Sequence, residues 1–223
     1  MANVSFTRDE AILALDVLYF TNELQLNKES KEIIELSELL NELPIIPLSV
    51  RGEIFRNSNG IKNQLIKFKS SYPKGKKDSH VGSIFYEIAD EFSGRKDDLH
   101  KIASAIKQNR DFFKNVTFGS ELEGEDFPEG TLLYHLHRVL ETRDGRKIFP
   151  AGNCEICHLN LSEVYEPIPG NFLQCHLSVP LTELNGSKKY KASDFITVCP
   201  NCHAVLHRHR PWLTRDNAGE ILF

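Results

Sequence analysis

CPNCHAVLH, Cys199–His207, decides how this chain is read. Two cysteines with two residues between them form half of a metal knuckle, and two histidines follow with a spacing of four. On a helix that spacing puts both imidazoles on one face. The other half of the knuckle is CEIC, Cys154 and Cys157, and 41 residues lie between the pairs. Four thiolates so arranged suit the tetrahedral sulfur shell that structural zinc prefers. Cysteines that are merely buried in a core do not easily explain two such pairs, and a thioredoxin-like redox pair would account for one of them only. The segment between the pairs has too few apolar residues to fold alone, so the ion is expected to supply much of its folding energy.

Upstream, FLQCHLSVPL reads as a short strand carrying His176 toward His203 and His207. Three neutral imidazoles leave the other positions of a divalent ion open to water and a phosphate oxygen. The plainer reading makes His203 and His207 surface residues, or a second edge of the zinc knuckle. Cys175 reads as a small buried residue beside the site and not as a ligand. His135 and His137 alternate with leucine in LLYHLHRVL and read as the surface of a strand or helix.

With 223 residues the chain can form one large domain or two small ones. Net charge is -4, from 27 basic and 31 acidic residues, so nucleic acid could be held only by local patches. No apolar run approaches the roughly 20 residues that cross a bilayer, and MANVSFTRDEAI has charges where a leader needs an apolar block. A soluble, cytoplasmic protein without a membrane partner is expected. All five cysteines lie at or beyond position 154, and in a reducing compartment an odd number suits metal better than disulfides.

Residues 1–114 read as helical. TRDEAILALDVLYF places Ile12, Leu13, Leu15, Val17, Leu18 and Phe20 at helical spacing behind Thr7, with Glu10 at the capping-box position. KEIIELSELLNEL is stopped by Pro44 and Pro47. NSNGIKNQLIKFKSSY sets Ile61, Leu65, Ile66 and Phe68 on one side, and VGSIFYEIADEF and DDLHKIASAIKQ add two further helices. Residues 115–130 are acidic, glycine-bearing and aperiodic, which reads as a linker. Residues 131–223 form the second domain, with seven of the nine histidines and the only tryptophan.

Between Arg51 and Lys77 eight basic residues face one acid, Glu53, a local charge of +7 that suits phosphates. The plain alternative is a solvated basic loop. Candidate DNA contacts are Arg56, Asn57, Asn59, Lys62, Asn63, Gln64 and Lys67, because amides and amines suit groove acceptors. Arg208, His209 and Arg210 lie beside the histidine pair and could clamp a backbone. Pro211 and Trp212 are expected to cap that helix and pack on the zinc lobe.

The ordered set CEIC, QCHLSVPL and SDFITVCPNCHAVLH resembles the HNH endonucleases of the ββα-metal kind, in their zinc-knuckle form. RHRPWL and EGTLLYHLHRVLETRD are similar to a bacterial restriction-type subgroup, and FTRDEAILALDVLYF with RNSNGIKNQL resembles the domain often found upstream of it. The part like the nuclease spans roughly residues 130–213. The resemblance implies an α+β fold: a mainly helical DNA-recognition domain, then a zinc-stapled ββα-metal HNH nuclease domain. It implies a restriction-like DNA endonuclease, hydrolysing phosphodiesters with a metal-bound water. Zn²⁺ would sit on the four cysteines, and a catalytic Mg²⁺, Mn²⁺ or Ni²⁺ on His176, His203 and His207. Asp194 falls where the middle asparagine of the HNH name braces a loop. Gln174 replaces a glutamate common in the subgroup, and Leu177 stands where the family has its general-base histidine. The implied partner is duplex DNA, modified or plain, and a homodimer would bring two sites to two strands.

An isobutyl group has no lone pair, so Leu177 cannot take a proton. General-base help is worth about 10²- to 10⁴-fold, so cleavage should be weakened while the metal and DNA sites persist. Three accounts stay open. His158, His209 or Glu183 has taken over as base; the chain is a natural degenerate nuclease, a DNA-binding protein on an inactive HNH scaffold; or the leucine was introduced to trap a complex.

Overall fold

Thr7 opens the first helix with both halves of the capping box: its hydroxyl accepts the Glu10 N–H, and the Glu10 carboxylate accepts the Thr7 N–H. The computed structural model describes residues 4–21, 27–115, 131–166, 168, 170–209 and 212–222. They form an α+β protein that divides into two compact units, residues 1–132 and 133–223. The expected linker, 115–130, lies outside the described residues except at its first position.

In the first unit α1 (Arg8–Phe20) is the central helix, because Ala11–Leu15 bury every face of its middle turn. Around it pack α2 (Lys31–Glu42), α3 (Ser58–Ser71), α4 (Ser83–Glu91) and α5 (Lys96–Gln108), and the short α6 (Arg110–Lys114) follows. Asn57 caps α3 by accepting the Gly60 N–H, and Ile61, Leu65 and Phe68 form the buried face. Ile66 was expected on that face but is exposed, since one residue past Leu65 turns its side chain roughly 100° away.

Arg56 is the main surprise here. Its backbone is left-handed (φ 45°) and its guanidinium is buried, donating to both Glu10 oxygens at 2.6 and 2.8 Å and to the Val4 and Ser5 carbonyls. A guanidinium held in this way is not available to a phosphate, so the expectation that Arg56 contacts DNA is corrected: it is a structural ion pair. Arg51 is also engaged internally, on the carbonyls of Asn41, Leu43 and Ile46.

The second unit runs from α7 (Thr131–Gly145), whose first two residues belong to the first unit, through the short α8 (Leu161–Val164) to β1 (Gln174–Leu177) and β2 (Phe195–Val198). Next come α9 (Pro200–Arg208) and α10 (Arg215–Leu222). The strands are antiparallel, with Gln174 opposite Val198 and Leu177 opposite Phe195. Strand, strand and helix thus follow in a β-β-α order, with α9 packed on β1. Ile156, Leu161, Ile196, Val198, Leu206 and Leu213 gather around the cysteines to form its core. Among the described residues no helix is long and apolar enough to cross a membrane.

Candidate metal centres

The two knuckles meet. Cys154, Cys157, Cys199 and Cys202 bring their sulfurs within 4.8 Å of one another, and Cys157 and Cys199 stand 3.8 Å apart. A disulfide would need about 2.05 Å, whereas a tetrahedron of 2.3 Å Zn–S bonds has edges of roughly 3.8 Å. Pro200 at the first position of α9 lets the knuckle run straight into the helix, and the Cys199 sulfur caps it by accepting the Cys202 N–H. Burial raises the Cys154 thiol, but the backbone N–H groups of Cys157, Cys199 and Ile156 outweigh it and bring it down to about 7. Burial and the neighbouring sulfurs push Cys202 up. Sulfurs so crowded are relieved by a cation, and zinc suits four thiolates.

The histidines meet as well, around a residue that sequence reasoning passed over. His176 on β1 and His203 and His207 on α9 converge with Glu141 on α7, all ligand atoms lying within 4.8 Å. Glu141 Oε1 is 3.1 Å from His176 Nδ1 and 3.2 Å from His203 Nε2, while Oε2 is 3.4 Å from His207 Nε2. The two α9 imidazoles face each other through Nε2 at 2.9 Å. Ligands about 2.1 Å from a shared ion would be spaced roughly 3.0 Å apart in an octahedron and 3.4 Å in a tetrahedron. These separations are of that size.

Proton bookkeeping points the same way. His203 Nδ1 lies on the Gln174 side-chain oxygen, an acceptor, so this nitrogen donates there and Nε2 is the one that faces the centre. Neither nitrogen of His176 has a partner in hydrogen-bond geometry, Glu141 included, although the residue is fully buried. Such an orphaned imidazole is costly unless an ion completes it. Burial drives His176 down to about 4 against the pull of Glu141. Burial alone would raise Glu141, but the imidazoles of His176, His203 and His207 hold its carboxyl far below the usual range.

α7 supplies more than one ligand. Leu133, Leu136, His137, Leu140, Glu141 and Asp144 recur every three or four residues as its buried face. The helix runs along the free edge of β1: Glu141 accepts the Leu177 N–H at 3.2 Å, and His137 Nε2 stands 2.8 Å from the Leu177 carbonyl. His137 was expected at a surface; it is completely buried, because this strand edge needs a donor. Burial depresses its imidazole to about 3. Trp212 was expected on the zinc lobe but packs on the imidazoles, 4.8 Å from His137 and 5.8 Å from His176, leaving the zinc core to Leu213.

Residues opposite one another in an antiparallel pair share a face, and neighbours alternate. His176 therefore lies on the face of Ile196, and Leu177 on the other, opposite Phe195 and fully buried. Asp194 is not a ligand. Its carboxylate accepts the Lys191 N–H and its carbonyl accepts the Ser178 N–H, which ties the two strand ends together. His158 and Glu183 are exposed and outside the ligand cluster. Comparison with family models, curated proteins and solved structures finds no match.

Of the DNA candidates, Asn59, Asn63 and Arg208 are exposed and Lys62 and Lys67 partly so, while the Gln64 amide donates to the His80 carbonyl at 2.8 Å. Arg210 and Pro211 lie outside the described residues. Glu141 could have been suspected from its place one turn after His137 in a helix that is otherwise leucine-faced. No motif spacing links it to the cysteines, and its nearest fellow ligand in the chain, His176, is 35 residues on.

Proposed function

We propose that the chain is an HNH-like, metal-dependent DNA endonuclease, restriction-like and acting on modified or plain duplex DNA, with a weakened hydrolytic step. The observation that carries this reading is the convergence of Glu141, His176, His203 and His207 on one point beside the β-β-α hairpin stapled by four cysteines. Three imidazoles and a carboxylate favour a transition ion such as Mn²⁺ or Ni²⁺ over Mg²⁺, which prefers an all-oxygen shell. When bound, such an ion stabilises the charge that builds on a phosphate during hydrolysis and makes a nearby water more acidic. Gln174 orients His203, Glu141 fixes the end of β1, and Trp212 packs on His137, His176 and His207. The lysines between Lys62 and Lys77 supply positive charge for phosphates, and Arg208 adds one near the histidines.

Leu177 favours a second reading, a DNA-binding protein on an inactive scaffold, because position 177 offers no lone pair and its side chain faces away from His176. Metal analysis and plasmid nicking separate the two. The first reading expects two ions per chain and nicking that needs Mn²⁺ or Ni²⁺ and disappears in His203→Ala. Two ions with DNA retardation but no nicking would leave the second reading. A single, cysteine-bound ion would sink the account of the second centre.

A further inference from the structure

A cavity of about 480 Å³ opens in the first unit, among the C-terminal ends of α1, α3 and α4 and the start of α5. Its size lies within the roughly 300–1,000 Å³ of small-molecule sites. Phe68 and Phe92 are buried beneath it, and Tyr19 and Tyr72 are half-buried in its walls. Phe68 and Tyr72 stack at 5.0 Å with 21° between their planes. Lys69 and Lys96 line it too, and the Lys96 ammonium stands over the Tyr19 ring, 4.4 Å from its centre. Thr21 and Ser93 contribute hydroxyls, and the Tyr72 hydroxyl donates to Asp90 at 2.9 Å. Burial, with Tyr72 and Asp90 nearby, pushes Tyr19 up to about 12, so its hydroxyl stays a donor. Flat aromatic walls suit a planar ring, the Lys96 ammonium suits an anion attached to it, and the hydroxyls suit polar atoms on the ring edge.

We propose that this cavity is a nucleotide site, which takes a base against Tyr72 and its phosphate near Lys96. A nucleotide could come from a base turned out of DNA or from solution. Lys74, Lys76 and Lys77 are exposed and follow directly on Tyr72 and Pro73 in the cavity wall, so a strand held on them would pass its mouth. That favours the turned-out base, and in this respect the proposal rests on the DNA-binding reading above.

Turning a base out is easiest where it is mispaired. The full-length protein is titrated at about 50 mM salt with a matched duplex and with the same duplex carrying one central mismatch. The four deoxynucleoside monophosphates are titrated separately by calorimetry. The mismatched duplex should bind about tenfold tighter, and Tyr72→Leu should abolish that preference. Lys96→Glu, a surface change, should do the same even if Tyr72→Leu fails to fold. Lys76→Ala should weaken both duplexes alike. Monophosphate binding without mismatch preference would assign the site to free nucleotide. Equal binding of both duplexes with no monophosphate binding would overturn the site while leaving DNA binding intact. Failure to retard any duplex would overturn the DNA-binding reading, and the monophosphates alone would then decide the site.

Discussion

Glu141 serves a strand and a candidate ion site at once: the carboxylate that accepts the Leu177 N–H is also the one among the three imidazoles. Gln174 stands one step further out, on the far nitrogen of His203. Groups that orient a metal-ligating histidine typically contribute 10- to 100-fold in affinity. Gln174→Ala should therefore weaken the second ion by about that factor in a chelator competition and leave the cysteine-bound ion unchanged. Gln174→Glu keeps the acceptor and should retain the affinity. Position 177 gives a sharper test. An imidazole there would enter the dry face beside Phe195, so Leu177→His should destabilise the protein by about 1–3 kcal/mol and not speed nicking. Faster nicking would mean that the new imidazole reaches the side of His176 after all.

At the scale of elements, buried charge governs the first unit. Asp9 on α1 is fully buried; Oδ2 accepts the Leu132 N–H and Oδ1 has no hydrogen-bond partner. Burial raises its carboxyl from 3.8 to about 6, against the Leu132 N–H and Arg8, which pull it down. A carboxyl raised on folding favours the folded state fully below its ordinary value, and that favour is lost as pH rises through about 6. Asp9→Asn should thus raise the unfolding free energy measured in urea by about 3 kcal/mol at pH 8 and change little at pH 4. An equal effect at both pH values would refute the titration. Local grammar made much of this layer readable: the Thr7 and Glu10 box, the stop before Pro44, the spacing of Ile61, Leu65 and Phe68, and the imidazole pair on α9 all follow from periods of three and four. What stayed hidden depends on distance through the fold. Arg56 looked like part of a basic run because a charge count cannot see that Glu10, 46 residues earlier, neutralises it. His137 and Glu141 looked like ordinary helix positions because the strand edge they serve lies about 40 residues on.

For the whole molecule, the balance of charge makes any DNA binding a local matter. Each lysine taken away from a phosphate flattens the slope of affinity against salt by about one. Lys74→Ala, Lys76→Ala and Lys77→Ala together should flatten that slope by about three in a series from 50 to 200 mM salt. Arg56→Ala should unfold the first unit instead of merely weakening DNA binding, because it strands the Glu10 carboxylate in the interior. Thermal denaturation distinguishes these outcomes. A two-stranded sheet usually invites a third strand from another molecule along its open side. Here the outward amide and carbonyl of Leu177 are already satisfied by α7. The hairpin is therefore closed to strand exchange at that end, and any pairing of two copies has to be made by side chains on some other surface.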